Sequence, residues 1–179
     1  MSDLSKIRGL IDKLDKEIIK LLNERGKLAQ KIKKVKTQSN NTNIFRPERE
    51  AQILRGLSKS NKGPLSNDNL QSIYREIISS CLSLEKKLKV CCLGPDQSYS
   101  NIALTKFFGS SVDINFHNSI NSIFNDVNHD NVEFGVVPIE NSNQGSIKLT
   151  IDNLINEDIK ICGEVNLTIK HCLLSKCKT

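Results

Sequence analysis

Apolar side chains recur at three- and four-residue steps along the first part of the chain. Ile7, Leu10, Ile11, Leu14, Ile18, Leu21, Leu22, Leu28, Ile32 and Val35 fall on one side of a helical wheel. No proline interrupts the run and only Gly9 and Gly26 lie inside it, so the spacing predicts one helix from about Leu4 to Lys36. The polar stretch from Thr37 to Asn43 has no face to bury and predicts a loop. A second helix is expected to start at Pro47, a favoured first-turn residue, with Glu48 and Glu50 near the positive end of its dipole, and to end before Gly63-Pro64. Ser66 is placed to cap a third helix whose inner side carries Leu70, Ile73, Ile77, Ile78, Cys81, Leu84 and Leu88. Cys81 and Glu85 fall one turn apart on a face of that helix. Three helices of such unequal length close poorly on themselves, and an intertwined dimer would supply the missing core.

The period changes at Val90. Val90–Leu93 is a short apolar run ended by Gly94-Pro95, Ser100–Phe108 reads as a helix and Val112–Phe116 as a strand. Ser119–Val127 reads as a helix, Phe134–Pro138 as a buried strand, Ser146–Ile155 as a helix and Ile159–Leu167 as a strand. Strands alternating with helices at this spacing imply a parallel or mixed α/β sheet. Ligands of such sheets bind beyond the strand C-termini. Two segments occupy that kind of place, Gly94–Ser100 and Pro138–Ser146, and both offer hydroxyls, amides and backbone N–H groups suited to a carboxylate. The expected fold is therefore an all-α domain over residues 1–89 followed by an α/β lobe over residues 90–179.

Charge separates the same two parts. Residues 1–90 carry 20 Lys+Arg against 10 Asp+Glu, a balance of +10, and residues 91–179 carry 6 against 10, or −4. A basic helical half raises the question of nucleic acid, but it has no aromatic stacking platform and no zinc or recognition-helix motif. No apolar run reaches the roughly 20 residues of a membrane span, and Met-Ser-Asp-Leu is no signal peptide. These observations predict a cytoplasmic protein that binds neither nucleic acid nor membrane. The 6 cysteines show no C-x-x-C spacing and are expected to be reduced thiols, mostly buried. His171, Cys172 and Cys177 lack the paired short spacings of a zinc site, so no metal is expected.

Within the first helix, Arg25 and Lys36 share a face about 16 Å apart, with Ala29 and Ile32 between them. A low apolar floor with a cation at each end suits a small dianion. Arg8 stands roughly 25 Å from Arg25 along the same axis, too far to reach the same ligand in one subunit. An antiparallel partner helix would bring it back.

Ile7-Arg8, Leu22-Asn-Glu-Arg25, Lys36, Arg46-Pro-Glu-Arg-Glu50 and Cys81-Leu-Ser-Leu-Glu85, in this order and spacing, resemble the all-helical type of chorismate mutase. Gly135-Val-Val-Pro-Ile-Glu-Asn-Ser142, followed by Gly145-Ser146, resembles prephenate dehydratase. The order is that of the bifunctional family of phenylalanine biosynthesis. The resemblance implies a homodimer with a pocket at its interface. Arg8 of one subunit and Arg25 of the other would clamp the two carboxylates of chorismate. Lys36 would donate to the ether oxygen, Glu50 would accept from the ring hydroxyl, Arg49 would support the carboxylate region, and Cys81 and Glu85 would line the far side, with Glu85 beside the ether oxygen. The implied reaction is a rearrangement to prephenate without nucleophile, metal or cofactor. For prephenate itself the candidates are Ser98, Glu140, Asn141, Ser142, Gly145 and Ser146.

Plainer readings stand beside these. A basic helical face is often only solvated, Glu50 could merely serve its helix N-terminus, and Cys81 could simply be core. In the first α/β loop Gln97, Ser98 and Tyr99 stand where relatives generally carry Gly, Thr and Phe, and a Gln in place of Gly is expected to resist a positive φ or a close backbone approach. The family's Thr-Arg-Phe motif does not occur in the 179 residues. The sequence therefore reads as a mutase joined to a truncated dehydratase region, inactive alone. The alternative is a non-catalytic remnant, or a subunit that completes a lobe supplied by another chain.

Overall fold

The computed structural model describes residues 3–38, 45–143, 145–170 and 172–174. Helix α1 spans Asp3–Gln38, α2 Pro47–Ser60 and α3 Asn67–Ser83. The uninterrupted apolar period of α1 carries it from end to end, as expected. Its apolar stripe, however, lies open: Leu10 is 60%, Leu14 58% and Ile18 52% exposed, and only Gly26 and Ala29 are buried. Helix α3 starts where Ser66 predicts, the Ser66 hydroxyl accepting from the Asn69 N–H at 3.2 Å. It stops earlier than the inner-face pattern implied. Leu84 is its C-cap and Glu85 sits in the following turn, its N–H donating to Leu82 O at 2.8 Å, as the chain leaves the helix for the sheet. Ile78 and Cys81 are buried as expected, whereas Ile73 and Leu84 are nearly half exposed.

A parallel three-stranded sheet follows, with β1 (Lys89–Leu93) between β2 (Asp113–His117) and β3 (Phe134–Val136). Val90 lies opposite Ile114 on one side and Phe134 on the other. A central parallel strand is covered on both faces, which is why β1 reads as a continuous apolar run rather than an alternating one. Val90 and Cys92 point into a cluster with Phe45, Leu88, Leu104 and Phe108, the last two from α4 (Tyr99–Phe108). Cys91 points to the opposite face, against Ile123 of α5 (Ile120–Asn128) and Val132. Gly135 lets α5 approach: a Cβ there would lie 2.6 Å from Ile123 Cγ2.

Past β3 the expectations need correcting. Ser146 does not open a helix; Gly145–Ser146 forms β5, paired antiparallel with β4 (Glu140–Asn141), and α6 runs from Lys148 to Asn156. The run from Ile159 to Leu167 forms no strand, because neither sheet edge pairs with it among the described residues, and most of it is exposed. Cys81, Cys91 and Cys92 are buried but Cys162 and Cys172 are exposed, so burial of the thiols holds for only part of the set. Cys177, His171 and most of the expected loop after α1 lie outside the described residues.

Candidate active site

Small residues let α1 and α3 meet. A Cβ on Gly26 would stand 3.2 Å from Leu84 Cδ1, and buried Ala29 continues the contact one turn on. Beside this seam Arg25 is half-buried and its Nη1 donates to Ile77 O at 3.3 Å. Farther along α1, Lys36 Nζ donates to Glu85 Oε2 at 3.1 Å. Their side chains are 20% and 5% exposed, so the pair is largely withdrawn from water, and removing either partner would leave an uncompensated charge. The turn that ends α3 is what aims Glu85 at Lys36. Cys81 is buried one turn earlier.

Helix α2 contributes Glu50, whose Oε1 lies 3.5 Å from Arg75 Nε on α3. That distance is long for a hydrogen bond, and Arg75 Nε has no hydrogen-bond partner among the described residues. We read the contact as a charge attraction, leaving a buried donor aimed near a carboxylate. Burial pushes the Glu50 carboxyl above its ordinary range, and the Arg75 charge offsets this only partly. Glu50 thus does more than serve its helix N-terminus. Arg75 is the residue that sequence reasoning misses. It lies outside the apolar period of α3, and its acidic partner stands on another helix, so no local pattern marks it.

Two predicted members are not gathered here. Arg8 is exposed on the N-terminal half of α1. Arg49 is also exposed, and its Nη1 donates to Gln52 Oε1 at 2.6 Å within its own helix. The structure of one chain thus brings together Lys36 with Glu85, and Arg25 with the backbone of α3, and leaves Arg8 and Arg49 outside.

The α/β candidates lie past the C-terminal ends of neighbouring strands β1 and β3. Ser98 caps α4, its hydroxyl accepting from Asn101 N–H at 3.2 Å and donating to Leu93 O at 2.9 Å. Gln97 adopts φ 64°, so the expected resistance to a positive φ is overcome; its N–H donates to Asp96 Oδ1 at 2.8 Å, which holds the turn. Glu140, Asn141, Ser142, Gly145 and Ser146 form an exposed hairpin, with Glu140 opposite Ser146, Asn141 opposite Gly145, and Gly145 at φ 72°. Buried Thr150 fixes the adjoining segment by donating to Pro138 O at 2.7 Å. The buried thiols of β1 serve packing rather than chemistry. Burial pushes Cys91 up to about 12 and Cys92 up to about 11, so neither is a thiolate near neutrality. No group of described residues could hold a metal ion.

Comparison with known proteins follows the same division. Residues 7–86 match the family model of chorismate mutase type II, and residues 90–179 that of prephenate dehydratase. The chain belongs to the family that joins these two. A bifunctional chorismate mutase/prephenate dehydratase of Stutzerimonas stutzeri is 43% identical, the match covering 97% of this chain and 50% of the relative. The bifunctional proteins of Pseudomonas aeruginosa and Aquifex aeolicus are each 41% identical, over 97% and 98% of this chain. The chain spans about half the length of these curated relatives. In the terms of this family, Arg25, Lys36, Glu50, Arg75 and Glu85 lie in the chorismate mutase match, and Ser98 and the Glu140–Ser146 hairpin lie in the prephenate dehydratase match.

Proposed function

We propose that the helical half is a chorismate mutase, working as a cytoplasmic homodimer in the biosynthesis of phenylalanine. The observation that carries this reading is the withdrawn Lys36–Glu85 pair, on the same helix as half-buried Arg25, together with an apolar stripe on that helix whose Leu10, Leu14 and Ile18 are each more than half exposed in one chain. A second copy laid antiparallel along α1 would cover the stripe and bring its Arg8 toward Arg25, so that each pocket holds arginines from both subunits. Two guanidinium forks suit the two carboxylates of chorismate. Lys36 donates to the ether oxygen as the C–O bond breaks and negative charge grows there. Glu85, bonded to Lys36, holds that ammonium in place, and Glu50 accepts from the ring hydroxyl. Arg49 adds positive charge to the carboxylate region and Cys81 closes the apolar wall.

The rearrangement redistributes bonds within one molecule and asks for no metal or cofactor chemistry. What the protein supplies is a held reactive conformation and fixed charge. Prephenate, the product, is a dianion, and the Ser98 turn with the Glu140–Ser146 hairpin is the candidate place for it in the α/β half. No helix among the described residues is long and apolar enough to cross a membrane.

Chorismate consumption by purified protein tests the reading. Arg25→Ala and Lys36→Ala are each expected to lower turnover by about 100-fold or more, as loss of one preorganised donor commonly does, with helicity unchanged. Parental turnover in either variant would remove the proposed pocket.

A further inference from the structure

Phe45 belongs to the helical half by sequence, lying just before α2, yet it is buried in the core of the α/β half. Its ring centroid lies 5.2 Å from that of Phe108, 5.3 Å from Phe134 and 6.3 Å from Phe107. An apolar residue two positions before a helix commonly folds back on the fourth helical residue and so fixes the entry of the chain. Here that fourth residue is Glu50, charged and turned toward Arg75, and the N-cap Arg46 makes no side-chain capping bond. With neither local device present, the start of α2 is held by the anchorage of Phe45 in the other half of the molecule.

The first turn of α2 carries Arg49 and Glu50. We infer that Phe45 is a positioning residue for the chorismate site, through which the α/β half sets the place of Glu50 and Arg49; the inference rests on the mutase reading above. Helix α3, which carries Arg75 and leads into Glu85, is docked on the same half by independent contacts. Ser110 donates to Glu76 Oε2 through its N–H at 3.2 Å and its hydroxyl at 2.6 Å, and Ser111 N–H donates to Ser79 Oγ at 3.2 Å. Gly109, at φ 76°, packs so close that a Cβ would lie 2.5 Å from Ser79 Cβ. Lys86, next to Glu85, pairs with Glu133. Both helices that face the site are thus seated on the α/β half, α3 by a polar seam and the entry of α2 by the ring of Phe45.

The full chain is tested as Phe45→Ala, Phe45→Leu, Phe107→Ala and the Phe45→Ala/Phe107→Ala double variant. Glu50 and Arg49 would bind groups present in both substrate and transition state. Phe45→Ala is therefore expected to raise KM by about tenfold while kcat falls much less, and Phe45→Leu to restore most of the loss. Phe107→Ala, which touches no proposed mutase residue, is expected to raise KM in the same direction, and the double variant to be no worse than Phe45→Ala. Should Phe45→Ala fail to fold, the Phe107→Ala result decides. Hydrogen exchange at the amides of Arg49–Ile53, read in Phe107→Ala, separates anchoring from activity: it is expected to speed up by about tenfold or more. Unchanged exchange there overturns the anchoring whether or not the chain turns over chorismate. A parental KM in folded Phe45→Ala or in Phe107→Ala overturns the positioning role. Loss of chorismate turnover from the parent itself, with exchange still accelerated by Phe107→Ala, would fault the mutase reading and leave the anchorage of α2 standing.

Discussion

Burial raises the Glu50 carboxyl, against the partial pull of Arg75, and this fixes the direction of a pH effect. A folded-state value above the unfolded one means that ionisation costs stability as pH rises through that interval, and that acidification relieves the cost. In the proposed mutase the sign for catalysis is opposite, because an ionised Glu50 would be the stronger acceptor for the ring hydroxyl. The acid limb of kcat/KM is therefore expected at a pH above the ordinary glutamate range of about 4.3. Glu50→Gln, whose amide oxygen accepts at any pH, should lack that limb, and superimposable profiles would remove Glu50 from the site. Gln97 invites a simpler measurement. A left-handed conformation costs a side-chain-bearing residue about 1–2 kcal/mol, of which the backbone freedom of Gly returns a part. Gln97→Gly is expected to stabilise the chain by up to about 1 kcal/mol in denaturant unfolding. At this scale the sequence shows Lys36 and Arg25 by spacing and Glu85 through its resemblance to a known motif. Phe45 and Arg75 escape notice because neither belongs to a periodic run. A lone aromatic in a polar stretch and a lone arginine on a helix acquire meaning only from partners distant along the chain.

Helices α1 to α5 are legible because long or well-capped periodic segments commit the backbone locally, as with Ser66 at the start of α3; in the structure Ser98 and Ser119 cap α4 and α5 in the same way, each accepting an N–H. The elements misread are those whose identity is decided by a neighbour. β4 and β5 are two residues each and carry no period, so Ser146 looks like the start of a helix until Glu140 is seen opposite it. Ile159–Leu167 has a strand's pattern and no ladder. The open stripe of α1 gives a prediction at this level. Leu14 and Ile18, both more than half exposed in one chain, would be buried between two copies of α1. A charge in such a seam is uncompensated and costs several kcal/mol. Leu14→Lys is therefore expected to shift the protein from dimer to monomer in sedimentation and to abolish turnover at low protein concentration. A variant that stays dimeric and active would place the interface elsewhere.

The two halves differ in charge, +10 over residues 1–90 and −4 over 91–179, and the contact between them uses that difference. Glu133 accepts from Lys86 and from the Lys89 N–H; burial acts to raise its carboxyl, but these partners outweigh it and hold the group below its usual range. This contact therefore contributes at neutral pH and fades as pH falls through the carboxylate range. Across the whole molecule, the proposed pocket, with Arg25 and Lys36 from one chain and Arg8 from another, predicts a direct sign of sharing. Arg8→Ala and Arg25→Ala proteins, each inactive alone, are mixed in equal amounts and allowed to exchange subunits. A mixed dimer then has one pocket with both arginines and one with neither, so chorismate turnover is expected to return to about a quarter of the parent level, since half of all dimers are mixed and each has one working site of two. Turnover that does not rise above that of the separate variants, with mixed dimers demonstrated, would contradict a site shared between subunits.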